Sequence, residues 1–100
     1  MAFITATERV RELLTALHNN GWTFTNVDIE PEMPGYGSLL PVVGIERTVK
    51  AIMLVESSIV WLEKEGELNW FTITPGDEEE MLGMCSKGMT QSLIALRPQQ

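Results

Sequence analysis

Residues 59–74 read IVWLEKEGELNWFTIT, two apolar runs rich in β-branched and aromatic side chains joined by Glu65 and Gly66. Strand-type runs around a two-residue turn predict a β-hairpin. With Glu65 and Gly66 at the centre of the turn, Val60 faces Phe71 and Trp61 faces Trp70. Side chains alternate between the two faces of a strand, so this register sorts the hairpin into two surfaces. One carries Val60, Leu62, Phe71 and Ile73; the other carries Ile59, Trp61, Leu68 and Trp70, edged by Glu63. Both are apolar, unlike an antiparallel sheet with one wet face. Two helices can cover one such surface. The tryptophan surface is either covered, by the 31–41 loop with Tyr36, Leu39 and Leu40 or by helices split between the two faces, or exposed as a binding or dimer surface, and which of these holds decides the biology.

Upstream, Val10, Leu13, Leu14 and Leu17 recur at helical spacing and predict a helix over about 6–19. Thr5 and Glu8 have the spacing of a capping box at its start. Gly21 suits the left-handed position past its end, which would bring Trp22 back onto Leu17 in a Schellman motif. The stretch WTFTNVDIE, 22–30, reads as a strand whose parity changes between Phe24 and Val27, so a bulge near Thr25 and Asn26 is expected. Three prolines and two glycines make 31–41 a long loop. Loops of that length are commonly functional or mobile.

Residues 42–56, VVGIERTVKAIMLVE, support two readings. Val42, Ile45, Val49 and Ile52 have helical spacing, whereas the apolar run 51–55 suits a strand buried on both faces. A strand over 48–56 is the reading preferred here, with 42–47 open between helix and strand. Beyond Pro75, Asp77 and Glu80 have capping-box spacing, and Glu78 and Glu79 would lie in a first helical turn, where the helix dipole favours acids. Leu82, Cys85, Met89, Leu93 and Leu96 then recur at steps of three or four, which predicts a helix from Asp77 to about Leu96, ended by Pro98. Gly83 and Gly88 disfavour a helix interior by about 1 kcal/mol each and make sense where it packs closely against a neighbour.

At 100 residues, with 44% hydrophobic and 21% charged side chains, the chain is expected to form one globular domain, 1–100, with a tail at 97–100. The predicted fold class is α+β: an N-terminal helix, an antiparallel sheet of about four strands, and a C-terminal helix packed on the sheet. No apolar stretch is long enough to span a bilayer. The start MAFITATERV lacks the pattern of a signal peptide, so a cytoplasmic location is expected, and reducing surroundings suit a lone cysteine.

The net charge of −7 argues against direct nucleic-acid binding, which needs Lys and Arg to neutralise phosphates. Between Glu56 and Glu80, eight acids stand against one base, Lys64, and this quarter of the chain accounts for the whole net charge. In size and charge the protein resembles accessory or inhibitor proteins of phages and mobile elements, a resemblance that no motif carries.

No motif for catalysis, a cofactor or a metal emerges. Consecutive acids diverge around a helix instead of converging on a cation. Cys85 sits on an apolar stripe, where a thiol behaves as a small hydrophobe, and the single histidine, His18, lies at the end of another helix. Ser57 and Ser58 lack a nucleophile-elbow pattern, and no glycine-rich phosphate loop follows a strand. Met81, Met84 and Met89 read as core filler and adaptable contact surface.

The expected function is therefore a small acidic, non-enzymatic protein-interaction module, binding a protein partner or a second copy of itself through Trp61, Trp70, Ile59, Leu68 and Tyr36. A different reading assigns the function to charge, with Glu63, Glu65, Glu67, Asp77, Glu78 and Glu79 mimicking nucleic acid toward a basic groove. A third places a small ligand between the 31–41 loop and the sheet.

Overall fold

The computed structural model describes residues 5–29, 39–77 and 79–96. Tyr36, Glu78, the loop up to Ser38 and the tail 97–100 lie outside the described residues.

The first helix, α1 (Ala6–Asn19), forms as its sequence directs. Thr5 caps it, its hydroxyl accepting from the Glu8 amide at 3.1 Å. Past its end, Gly21 takes a positive φ of 96°. There the Trp22 amide donates to Leu17 O at 3.1 Å and the Gly21 amide to His18 O at 3.0 Å, the paired bonds of a Schellman motif. Val10, Leu14 and Leu17 are fully buried along one face.

Strand β1 (Thr23–Asp28) follows, then a short β2 (Leu39–Pro41) that closes the segment expected to be loop throughout. The next element is helix α2 (Ile45–Met53), which corrects the strand expected over 48–56. The helical spacing prevails because it buries Val49 and Ile52 together while Met53 and Leu54 face solvent, an arrangement a strand covered on both sides would not give. Thr48, buried in this helix, donates its hydroxyl to Gly44 O at 2.8 Å and so leaves no orphaned polar atom.

Strands β3 (Ser58–Lys64) and β4 (Glu67–Ile73) form the hairpin in the expected register, with Trp61 opposite Trp70 and Val60 opposite Phe71. Its turn has Glu65 at φ 53° and Gly66 at φ 81°, the doubly left-handed signature of a type I′ turn.

The region after Pro75 corrects a second expectation. Asp77 caps no helix: its Oδ1 accepts from the amides of Glu79 at 3.1 Å and Glu80 at 2.9 Å, which closes a local Asx-type turn. No long helix follows. The chain runs back along β4 as strand β5 (Leu82–Cys85), makes one 3₁₀ turn (Lys87–Met89) and only then forms α3 (Thr90–Leu96). The two glycines explain the change. A Cβ on Gly83 would stand 2.5 Å from Thr72 Oγ1, and one on Gly88 would collide with the Asn69 side-chain amide. The close neighbour that glycine admits is the sheet itself.

All five strands join one antiparallel sheet in the order β2-β1-β3-β4-β5, one strand more than expected. The fold class is α+β. A single core unites Val10, Leu14 and Leu17 of α1, Val49 and Ile52 of α2 and Leu93 of α3 with Phe24, Val27, Val60, Leu62, Phe71, Ile73 and Leu82 of the sheet. The three helices thus pack on one sheet face. No described helix is long and apolar enough to cross a membrane.

Candidate interaction surface

The opposite sheet face is built from alternation and register. Trp61 and Trp70 are directly paired across β3 and β4, with ring centroids 6.4 Å apart and planes tilted by 50°. That geometry lies within the favourable range for an aromatic pair. Ile59 and Glu63 flank Trp61 two residues away on β3, and Leu68 and Thr72 flank Trp70 on β4.

A bulge brings β1 into step with this face. The register between β1 and β3 shifts between Phe24 and Asn26, so Phe24 opposite Leu62 and Val27 opposite Val60 both point to the core. Asn26 and Asp28 then fall opposite Trp61 and Ile59 on the outer face. The expectation of a bulge at this point is met. On β2, Pro41 and Leu39 pair with Asn26 and Asp28 and extend the same surface.

A second bulge shapes the other end. Phe71 pairs with Cys85 and Ile73 with Leu82, so Gly83 and Met84 together oppose the single residue Thr72, whose hydroxyl donates to Met84 O at 3.2 Å. Cys85 and Leu82 thereby face the core, and Met84 stands outward with 73% of its surface exposed. Leu68 at 58% and Leu39 at 55% are exposed as well, whereas Trp61, Trp70 and Ile59 are half-buried. Trp61 Nε1 is shielded from solvent without a hydrogen-bond partner. Such an unpaired donor costs about 1–3 kcal/mol, so apolar contact and not polar pairing holds this ring.

The expected acidic residues separate into groups. Glu63 lies on the outer face, Glu65 in the hairpin turn, and Glu67 beside it opposite Lys64; all three are exposed. Asp77 and Glu79 are exposed beyond the far end of β4, a strand of seven residues. At about 3.4 Å per residue the two groups stand on the order of 20 Å apart. The two groups are separated along β4, and Asp77 lies beside α1, its carbonyl accepting from Arg9 Nη2 at 3.1 Å.

Of the chemical candidates, the Cys85 sulfur lies 3.8 Å from Thr90 Oγ1 in a half-buried position against the core, while His18 is exposed in the last turn of α1. Among the described residues no group of three His, Cys, Asp or Glu side chains is arranged to hold a metal ion.

Sequence reasoning placed Trp61, Trp70, Ile59 and Leu68 together, took Leu39 as part of a loop over them and not as a strand residue beside them, and did not place Met84 on this face. The signal for Met84 was Gly83, whose missing side chain makes room for Thr72 on the neighbouring strand. Comparison with known proteins adds nothing to this geometry: no family model, no curated protein and no solved structure matches the chain.

Proposed function

We propose that this protein is a non-enzymatic protein-interaction module that docks through the outer face of its sheet, around Trp61 and Trp70. One observation carries the reading: every described helix packs on the opposite face, while Leu39, Leu68 and Met84 remain more than half exposed around a tilted pair of tryptophans. Contiguous apolar surface with tryptophan at its centre is the usual composition of a binding hot spot. The rigid hairpin supports this use, since a surface fixed by backbone pairing loses little conformational entropy on docking.

Site-specific photo-crosslinking tests the proposal in host extract. A benzoylphenylalanine replaces Leu68 in one chain and Glu12, exposed on α1, in a control. The expected result is a discrete protein adduct from position 68 alone, abolished by excess unlabelled wild-type chain but not by excess Leu68→Glu chain. Equal adducts from both positions, or indifference to the Leu68→Glu competitor, would reject the outer face as the docking surface.

A further inference from the structure

We infer that the occupant of this face is a protein segment with an apolar centre and Lys or Arg flanking it, and not a second copy of this chain. The inference rests on the reading of the outer face as the docking surface and adds the chemistry of what it takes.

Charge is the first reason. Glu63 is the exposed acid on the outward strand positions among the described residues, with Glu65 exposed in the adjoining turn; Asp28, half-buried on the same face, already has a partner, and no described Lys or Arg shares those positions. The described bases lie off these positions, Lys87 among them in the 3₁₀ turn that follows β5. Arg9 and Arg11 belong to α1, Arg47 and Lys50 to α2, and Lys64 extends its ammonium over the Trp22 ring, 5.7 Å from the centroid. Two copies meeting through this face would oppose acidic rims on chains that each carry −7, whereas a basic rim on a partner meets complementary charge.

Aromatic chemistry points the same way. Arg and Lys are drawn to the faces of tryptophan rings. Met84 supplies a flexible, polarizable side chain that adapts to varied apolar partners.

The sheet edges decide how the segment arrives. β2 is three residues long and ends in Pro41, which has no amide to donate, and β5 is bulged at Gly83 and Met84. Short, proline-bearing and bulged edges disfavour the addition of a further strand. The segment lies on the face, as the protein's own helices do on the other side.

A panel of three amphipathic helical peptides tests the inference on the full chain. They share one Leu/Phe stripe and carry Lys/Arg, Glu/Asp or Ser/Gln on its flanks, and anisotropy reports binding. At about 50 mM salt the basic peptide is expected to bind roughly tenfold or more tightly than the acidic one, with the gap closing near 500 mM as exposed charges are screened. Glu63→Lys shrinks that preference, and Leu68→Ser weakens all three peptides; circular dichroism verifies that both variants are folded. Equal affinity for the three peptides overturns the basic occupant and leaves the docking surface standing. Failure of all three to bind overturns the inference, and binding indifferent to Leu68→Ser rejects the surface itself. A dimer seen by light scattering and broken by Leu68→Ser overturns the inference in favour of a second copy.

Discussion

The Ser86 hydroxyl donates to Asn69 Oδ1 at 2.8 Å and at the same time accepts from the Trp70 amide at 3.0 Å. One side chain therefore ties the segment before α3 to β4 and fixes the backbone that presents Trp70. The Ser86 amide adds a third link, donating to Trp70 O at 2.9 Å. Asn69 is buried on the core side, so its amide oxygen has no water to replace a lost donor. Removing one partner of a buried pair costs about 1–3 kcal/mol. Ser86→Ala is expected to lower stability by that amount and to weaken protection of the Trp70 amide in hydrogen exchange. An unchanged unfolding midpoint with full protection would show that Asn69 finds another donor.

The hairpin turn makes a paired prediction of opposite sign. Glu65 and Gly66 both hold positive φ, a region that costs an ordinary L residue roughly 1–2 kcal/mol and glycine nothing. Gly66→Ala is expected to destabilise by about 1 kcal/mol, and Glu65→Asn to stabilise by a few tenths, since asparagine tolerates this region. No atom lies within 4 Å of a Cβ built on Gly66, so the loss is conformational and not steric. Urea unfolding of the two variants measures it; a Gly66→Ala chain as stable as wild type would contradict the turn assignment.

What the sequence revealed and what it concealed divide along physical lines. The hairpin register, the bulge at Thr25 and Asn26 and both ends of α1 depend on local chemistry: alternation, a capping hydroxyl, a glycine at a left-handed position. All were legible. The run 51–55 was not, because five consecutive apolar residues look the same in a buried strand and on a short helix. What decides it is distant, namely which of Ile52, Met53 and Leu54 meets the core. Likewise the burial of Leu82, Met89 and Leu93 was readable, but their spacing at three and four residues was mistaken for one helix. The reason for Gly83 and Gly88 lies in Thr72 and Asn69, on a strand that a linear reading does not lay beside them. For the candidate site, the tryptophan pair followed from the hairpin alone, whereas Met84 and Leu39 needed the flanking strands.

Ser58 opens β3 with its side chain fully buried opposite Ile73, and its hydroxyl has no hydrogen-bond partner. An orphaned polar group in the core costs free energy that an apolar side chain of similar size does not. Ser58→Ala is therefore expected to stabilise the protein by about 1 kcal/mol, which for a chain of this length raises the unfolding midpoint by roughly 4–8 °C. Differential scanning calorimetry reads the shift directly. A fall of similar size would mean that this hydroxyl makes a favourable interaction after all.

The link between the first two helices makes the pH prediction. The Arg11 guanidinium donates to Glu46 through two nitrogens, at 2.8 and 3.0 Å, joining α1 to α2 at the surface. That hydrogen bonding holds the Glu46 carboxyl below its ordinary range, with the positive charges of Arg11 and Lys50 acting in the same direction and partial desolvation against it. The folded value is lower than the unfolded one, so the contribution to stability is complete above the ordinary glutamate range and is lost as pH falls through the lowered value. Both side chains are exposed, and the bridge adds little to global stability. Its signature is local. In a carboxyl-detected NMR titration Glu46 is expected to protonate at lower pH in the wild-type chain than in Arg11→Gln, and the difference narrows in high salt as the exposed charges are screened. Identical midpoints in the two chains would mean that the bidentate contact does not persist in solution.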